Sequence, residues 1–252
     1  MTIDDIIVRL TAIVRETRRT GSRLGYFAAL YRIVTIEVKA GIANGQFEDG
    51  ARMGRLDVIF ARRYLDAWDA WHAGRPTTGS WRVAFRAAGD GAPIILQHLL
   101  AGINAHINLD LGIAAATVAP GVELPALQTD FNRINDLLVS LMDEVKAGIV
   151  LVSPAIGRLE ELAGTADDVL VAFSLTRARA FAWDEAQQLA PLSEWARHPV
   201  VVGRDWLTSV VGRAVLNPPP LTAAVVVAIR QRESADVAKV IDVLSRRHPL
   251  PA

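Results

Sequence analysis

Apolar residues recur three or four positions apart along most of the chain. Between about Leu24 and Ala43 the set Phe27, Leu30, Tyr31, Val34 and Val38 keeps that spacing, the period of a helix with one buried face. Between about Asp49 and His72 the inward set is Met53, Leu56, Phe60, Tyr64, Ala67 and Trp71. Breakers divide the rest into helix-sized pieces. Asp4 and Asp5 open a first helix that reaches about Arg19, and Gly21-Ser22 ends it. A short helix from Ser80 to Ala88 follows a loop holding Gly74, Pro76 and Gly79. Pro93 opens a segment to about Val118, and Pro125 lies at the start of another to about Val152. Further helices are predicted from about Thr165 to Ala190 (with Asp167 and Asp168 in the first turn), near Leu192 to Trp195, and from Gly203 to Leu216. The last runs from Thr222 to Arg247, beyond Pro218-Pro219-Pro220.

The β-branched runs Val200-Val201-Val202 and Val225-Val226-Val227 do not alternate and have no hairpin partner. The expected fold is therefore all-α, a multi-helix bundle of about seven to nine helices with no significant sheet. Residues 1–252 read as a single helical domain, with a break at 217–220 before a C-terminal helix that packs back onto the rest.

Composition narrows the function classes. Hydrophobic residues make up 51% and charged residues 21%, a globular balance. Lys plus Arg and Asp plus Glu are 27 each, so the formal net charge is zero. No basic excess is available to neutralise phosphates, so no nucleic-acid partner is expected, and Arg62-Arg63 reads as part of a solvated face. The chain has no cysteine, which excludes disulfides and thiolate chemistry. The apolar run from Ala223 to Ile229 is far short of a span of about 20 residues, and the polar start shows no secretory pattern. A cytoplasmic protein without a membrane partner is the expectation. Low net charge leaves a homodimer open.

Chemistry concentrates in one stretch. From Gln97 to Leu111 the background is strongly apolar, yet His98, Asn104, His106, Asn108 and Asp110 are set in it. His106 and Asp110 are one helical turn apart on one face, in a drifting stripe with His98 and Gly102. A mid-helix glycine costs about 1 kcal/mol against alanine, so Gly102 suggests close approach by a neighbouring helix or a ligand. An imidazole and a carboxylate at this spacing can share a divalent metal such as zinc, or form a general base with its orienting acid. They can equally be a polar knot that fixes helix register. His98 is about 12 Å from His106 along the axis, too far to share one ion.

Other inward polar residues extend the candidate pocket. Asp57 lies in line with Phe60 and Tyr64 and, if buried, needs a partner; His106, Arg32, Arg179 or a metal would serve. Asp66 and Asp69 should be solvated. Tyr31 and Thr35 share a face able to hydrogen-bond a ligand, and core packing is the plainer account of them. Asn135 faces inward between Phe131 and Leu138. Arg179 and Trp183, one turn apart, are placed to stack as a cation–π pair. Phosphate-binding glycine loops, a GxSxG elbow, HExxH and paired Glu-x-x-His motifs are all absent.

Several of these runs together resemble the bacterial domain-of-unknown-function family 5995. They are Tyr31-Arg32-Ile33-Val34-Thr35, Gly45-Gln46-Phe47 through Arg52-Met53, and Arg55-Leu56-Asp57-Val58 with Tyr64-Leu65. The most specific is Gly102-Ile103-Asn104-Ala105-His106-Ile107-Asn108-Leu109-Asp110-Leu111. Asp130-Phe131 with Asn135 and Ala178-Arg179 with Ala182-Trp183 fit the same pattern, over most of the chain up to about residue 215. The resemblance implies an all-helical protein and no established reaction, and it adds weight to Asn104, His106, Asp110, Asp57 and Asn135. The expected function is transformation of a small-molecule ligand at a His/Asp site, with His106, Asp110 and Asp57 as catalytic residues or metal ligands. Tyr31, Thr35, Tyr64, His98, Asn104, Asn135, Arg179 and Trp183 would line the pocket. The chemistry is either metal-assisted hydrolysis or metal-free lyase or cyclase catalysis; the alternative is a binding module with a structural polar cluster.

Overall fold

The first helix starts where its chemistry requires. The Thr2 side chain accepts from the Asp5 backbone N–H and Asp5 accepts from that of Thr2, a reciprocal cap, and Gly21 at φ 65° ends the helix in the left-handed region. The computed structural model describes residues 1–156 and 175–251, less the side chains of Val139 and Met142. Within it run α1 (Ile3–Thr20), α2 (Gly25–Ala43), α3 (Gly50–His72), α4 (Gly79–Ala88) and α5 (Ile95–Val118). Then come α6 (Leu124–Val152), α7 (Leu175–Leu189), α8 (Glu194–Leu216), α9 (Pro220–Arg230) and α10 (Val237–Leu244). The described residues hold no strand.

The all-α expectation holds, with more helices than the expected seven to nine. The predicted final helix is two, because the chain breaks after Arg230 and the Asp236 side chain caps a new start at Val237. The predicted pieces on either side of Pro199 are instead one helix, α8, with Pro199 in its second turn. The predicted start of α7, with Thr165, Asp167 and Asp168, lies outside the described residues.

α5 is the axis of the fold. Its first half packs Ile95, Leu99 and Ala105 into a core shared with α1, α2 and α10. Its second half packs Leu111, Ala114 and Ala115 into a core shared with α3, α6 and α7. α4 and α8 close over its remaining side. By length and apolarity α5 passes as a membrane span, and 89% of that stretch is buried inside the bundle. The last helix, α10, lies against α1, α2 and α6.

Several helix starts are held by carboxylates from distant parts of the chain. Asp130 of α6 accepts from the backbone N–H of Glu48 and Asp49 before α3. Asp205 of α8 accepts from those of Gly79 and Ser80 at α4. Glu233, after α9, accepts from the Ile95 N–H at the start of α5 and from the Ser153 hydroxyl at 2.7 Å. The first N–H groups of a helix have no partner within it and sit at the positive end of its dipole, so a carboxylate there satisfies both needs.

Replacing Glu233 by alanine leaves the Ile95 N–H and the Ser153 hydroxyl buried without partners. A loss of about 1–3 kcal/mol in unfolding free energy is expected, together with faster amide exchange in the first turn of α5. An unchanged urea midpoint would contradict this role.

Candidate functional site

The site begins with a change of winding. Within α5, residues His106–Leu111 form a π-helical turn, a wider coil that is rare overall and frequent at functional sites. Asp110 on this turn is 1% exposed, and its oxygens are occupied. Arg63 of α3 donates Nε to Oδ1 at 2.7 Å, and Trp81 of α4 donates Nε1 to Oδ2 at 2.8 Å. His106 Nδ1 lies 3.3 Å from Oδ2. Burial alone would raise the pKa of Asp110, but the Arg63 charge and the hydrogen bonds from His106 and Trp81 outweigh it and hold the carboxyl below its ordinary value. An ionised carboxylate can only accept, so the His106 proton is on Nδ1 and the Nε2 lone pair is free.

His106 is 2% exposed. Its ring is stacked on Phe60 with centroids 3.6 Å apart and planes 7° apart, and Tyr31 meets it edge-on at 4.4 Å. Burial pulls the imidazole pKa down, against the upward pull of Asp110. It is therefore neutral at neutral pH. Two glycines allow this packing: a Cβ at Gly102 would meet the Phe27 ring at 2.6 Å, and one at Gly112 would meet the Ala182 carbonyl at 2.7 Å. The close neighbour expected at Gly102 is thus the α2 side chain.

His106 opens on a cavity of about 590 Å³ between α2, α3, α5, α6 and α7, within the usual range for small-molecule sites. Its walls are largely aliphatic. Three of the lining residues have a polar atom that is buried without a hydrogen-bond partner among the described residues: His106 Nε2, Asp57 Oδ2 and Tyr31 Oη. Desolvation pushes the Asp57 carboxyl up to about 7. It raises the Tyr31 hydroxyl well above its ordinary value, so that group remains a donor. Arg179 of α7 lines the cavity as well, 5% exposed. It donates to the Asn135 side chain and the Phe131 carbonyl and lies over the Phe131 ring at 4.4 Å.

Other expectations are corrected. The partners suggested for Asp57 are engaged elsewhere: Arg32 holds the Thr11 hydroxyl and the His248 carbonyl, and Arg179 holds Asn135. Of the eight expected pocket residues, Tyr31 and Arg179 line the cavity. Thr35 is turned into its own helix, donating to the Tyr31 carbonyl. Asn104 links α5 to α8 by donating to the Thr208 carbonyl and accepting from Asn108. Asn135 is taken up by Arg179. Trp183 packs on Phe131 at 4.9 Å and so does not stack with Arg179, which has the same ring. His98 and Tyr64 face a separate small void beyond Phe27. His106, Asp110 and Asp57 do not form a coordination sphere for zinc or another ion: Asp110 is saturated, and among the described residues no three His, Cys, Asp or Glu groups are arranged to hold a metal.

The sequence reading missed Arg63, Trp81, Phe60 as the stacking partner, and Glu185. Arg63 was readable, since Leu56, Phe60, Arg63 and Ala67 follow helical spacing on the inward face; the Arg62-Arg63 pair is not uniformly solvated. Glu185 is fully buried against Gly112, 3.6 Å from Arg204, with its pKa raised to about 8 by desolvation. Nothing in its local sequence distinguishes it from a surface glutamate.

The family model described as a family of unknown function, DUF5995, matches residues 3–218. No curated protein and no solved structure matches the chain.

Asp57 gives the site a measurable pH dependence. Its carboxyl titrates near 3.8 when unfolded and near 7 when folded. Between those values the folded chain holds a proton that the unfolded chain has released, so this group makes the fold less stable as pH rises through that window and adds nothing further above it. Relative to wild type, Asp57→Asn should gain stability from about pH 4 to 7 and then level off at a few kcal/mol. Urea unfolding across pH 4–8 reads the difference, and a flat difference would show that Asp57 is not held in this state.

Proposed function

The chain belongs to DUF5995, a family of unknown function, and for this member we propose an enzyme that moves a proton on an apolar small molecule, with His106 as general base. The observation that carries the reading is that His106, Asp57 and Tyr31, each with a buried polar atom lacking a hydrogen-bond partner among the described residues, line one largely apolar cavity. Asp110 fixes the His106 tautomer and would stabilise the imidazolium that forms when Nε2 takes a proton. A carboxyl near pH 7 can return a proton at neutral pH. The Tyr31 hydroxyl supplies a donor for negative charge that develops on the ligand. This division of roles favours metal-free lyase or cyclase chemistry over metal-assisted hydrolysis, because it uses the carboxyls as acid and orienter and leaves none to bind an ion.

A second reading has support of its own. The same lining would suit a carrier that binds an apolar ligand without transforming it. The two separate on turnover. Incubating the protein with a fractionated extract of small apolar metabolites, followed by untargeted mass spectrometry, should show at least one species consumed and one formed. His106→Gln should slow that conversion by about 10²–10⁴-fold while keeping the wild-type melting temperature within a few degrees. A variant that folds and turns over at the wild-type rate removes His106 as the base. Binding without any conversion by the wild type leaves the carrier.

A further inference from the structure

We infer that the cavity takes an apolar organic monoanion, a carboxylate at the end of an aliphatic or fused-ring body, with its carboxylate on Arg179. This deepens the proposed function and rests on that reading for the fate of the ligand, but not for its class.

Arg179 is 5% exposed and lines the cavity. Its hydrogen bonds go to neutral acceptors, the Asn135 side-chain oxygen and the Phe131 carbonyl. Its Nη1 carries no hydrogen bond among the described residues, and no carboxylate there pairs with it. By contrast Arg63, Arg204 and Arg230 lie beside the buried carboxylates Asp110, Glu185 and Glu233. A desolvated charge without a counter-charge is costly, and an anionic ligand removes that cost on binding. The position is also held rigid, with the guanidinium over the Phe131 ring and two of its nitrogens anchored to α6. A planar fork with one side free suits a carboxylate.

The number of charges sets the class. Among the described residues Arg179 is the buried cation in the lining, and the other cation there, Lys146, is exposed. A phosphate dianion would need a second buried cation, whereas a single carboxylate does not. The remaining walls, from Leu30 and Val34 of α2 to Ile134, Leu138 and Leu141 of α6, are aliphatic and require an apolar body. Arg179 comes from α7, whereas His106, Asp57 and Tyr31 come from α5, α3 and α2. Asp57 and Arg179 do not pair.

The test uses the full chain and three probes of one chain length, each below its micelle concentration: dodecanoate, dodecan-1-ol and dodecylamine. Calorimetric titration should show dodecanoate binding the wild type about thirtyfold or more tightly than the alcohol, with the amine weakest. Arg179→Gln should abolish the preference for the carboxylate while leaving alcohol binding unchanged. If that variant does not fold, the order of the three probes on the wild type still decides. Equal affinity for acid and alcohol, tighter binding of the amine, a preference that survives in Arg179→Gln, or no binding of any probe would overturn the inference. His106→Gln separates the two claims: a carboxylate preference kept by a variant that converts nothing, beside a wild type that also converts nothing, ends the catalytic reading and leaves the ligand class standing. Turnover of uncharged species alone, unaffected by Arg179→Gln, does the reverse.

Discussion

The site depends on one buried carboxylate. Asp110 is held by Arg63 from α3, Trp81 from α4 and His106 from its own helix. Taking a carboxylate out of water is affordable only with several strong hydrogen bonds and a nearby cation, and Asp110 has both. What it provides is orientation. It ties α3, α4 and α5 together at the π-helical turn, keeps the His106 proton on Nδ1, and leaves Nε2 unprotonated. Phe60 and Tyr31 then confine the ring on two sides. A regular helix would also place residues 106 and 110 together. The wider π turn additionally lets the α7 backbone approach at Gly112, where any side chain larger than hydrogen would collide with the Ala182 carbonyl.

The rest of the architecture keeps α5 in place around that point. Glu233 caps its beginning, Gln97 donates to the Val215 carbonyl of α8, and Asn104 with Asn108 joins its middle to α8. All of these partners are remote in sequence. The polar residues of α5 therefore divide by face: Gln97 and Asn104 fix the helix to α8, Asp110 is held by α3 and α4, and His106 lines the main cavity.

That division explains what could be read from the sequence. Helical spacing gave the elements and the inward faces of α2 and α3, and the apolar run with embedded polar groups singled out α5. Asp57 and His106 stood out because a carboxylate and an imidazole were set among core residues. Asn104 stood out for the same reason but has an ordinary structural task, since polarity in an apolar run signals burial and not direction. Arg63 keeps the inward spacing of α3, but its reach to Asp110, like that of Trp81 from α4, is a relation with no trace in local periodicity. The stretch between Trp195 and Gly203, unassigned by spacing beside its β-branched run, is helical, with Pro199 accommodated in the second turn.

Lack of a hydrogen-bond partner does not by itself mark a functional group. Tyr64 Oη, His98 Nε2 and Trp183 Nε1 are also buried without a hydrogen-bond partner among the described residues, away from the main cavity. Each such group costs about 1–3 kcal/mol, so this chain tolerates several in a fold of ordinary marginal stability. What distinguishes His106, Asp57 and Tyr31 is that they line a space large enough for another molecule, whereas Tyr64 and His98 line only a small void. Arg179, a buried charge with no carboxylate partner among the described residues, lines the same large space.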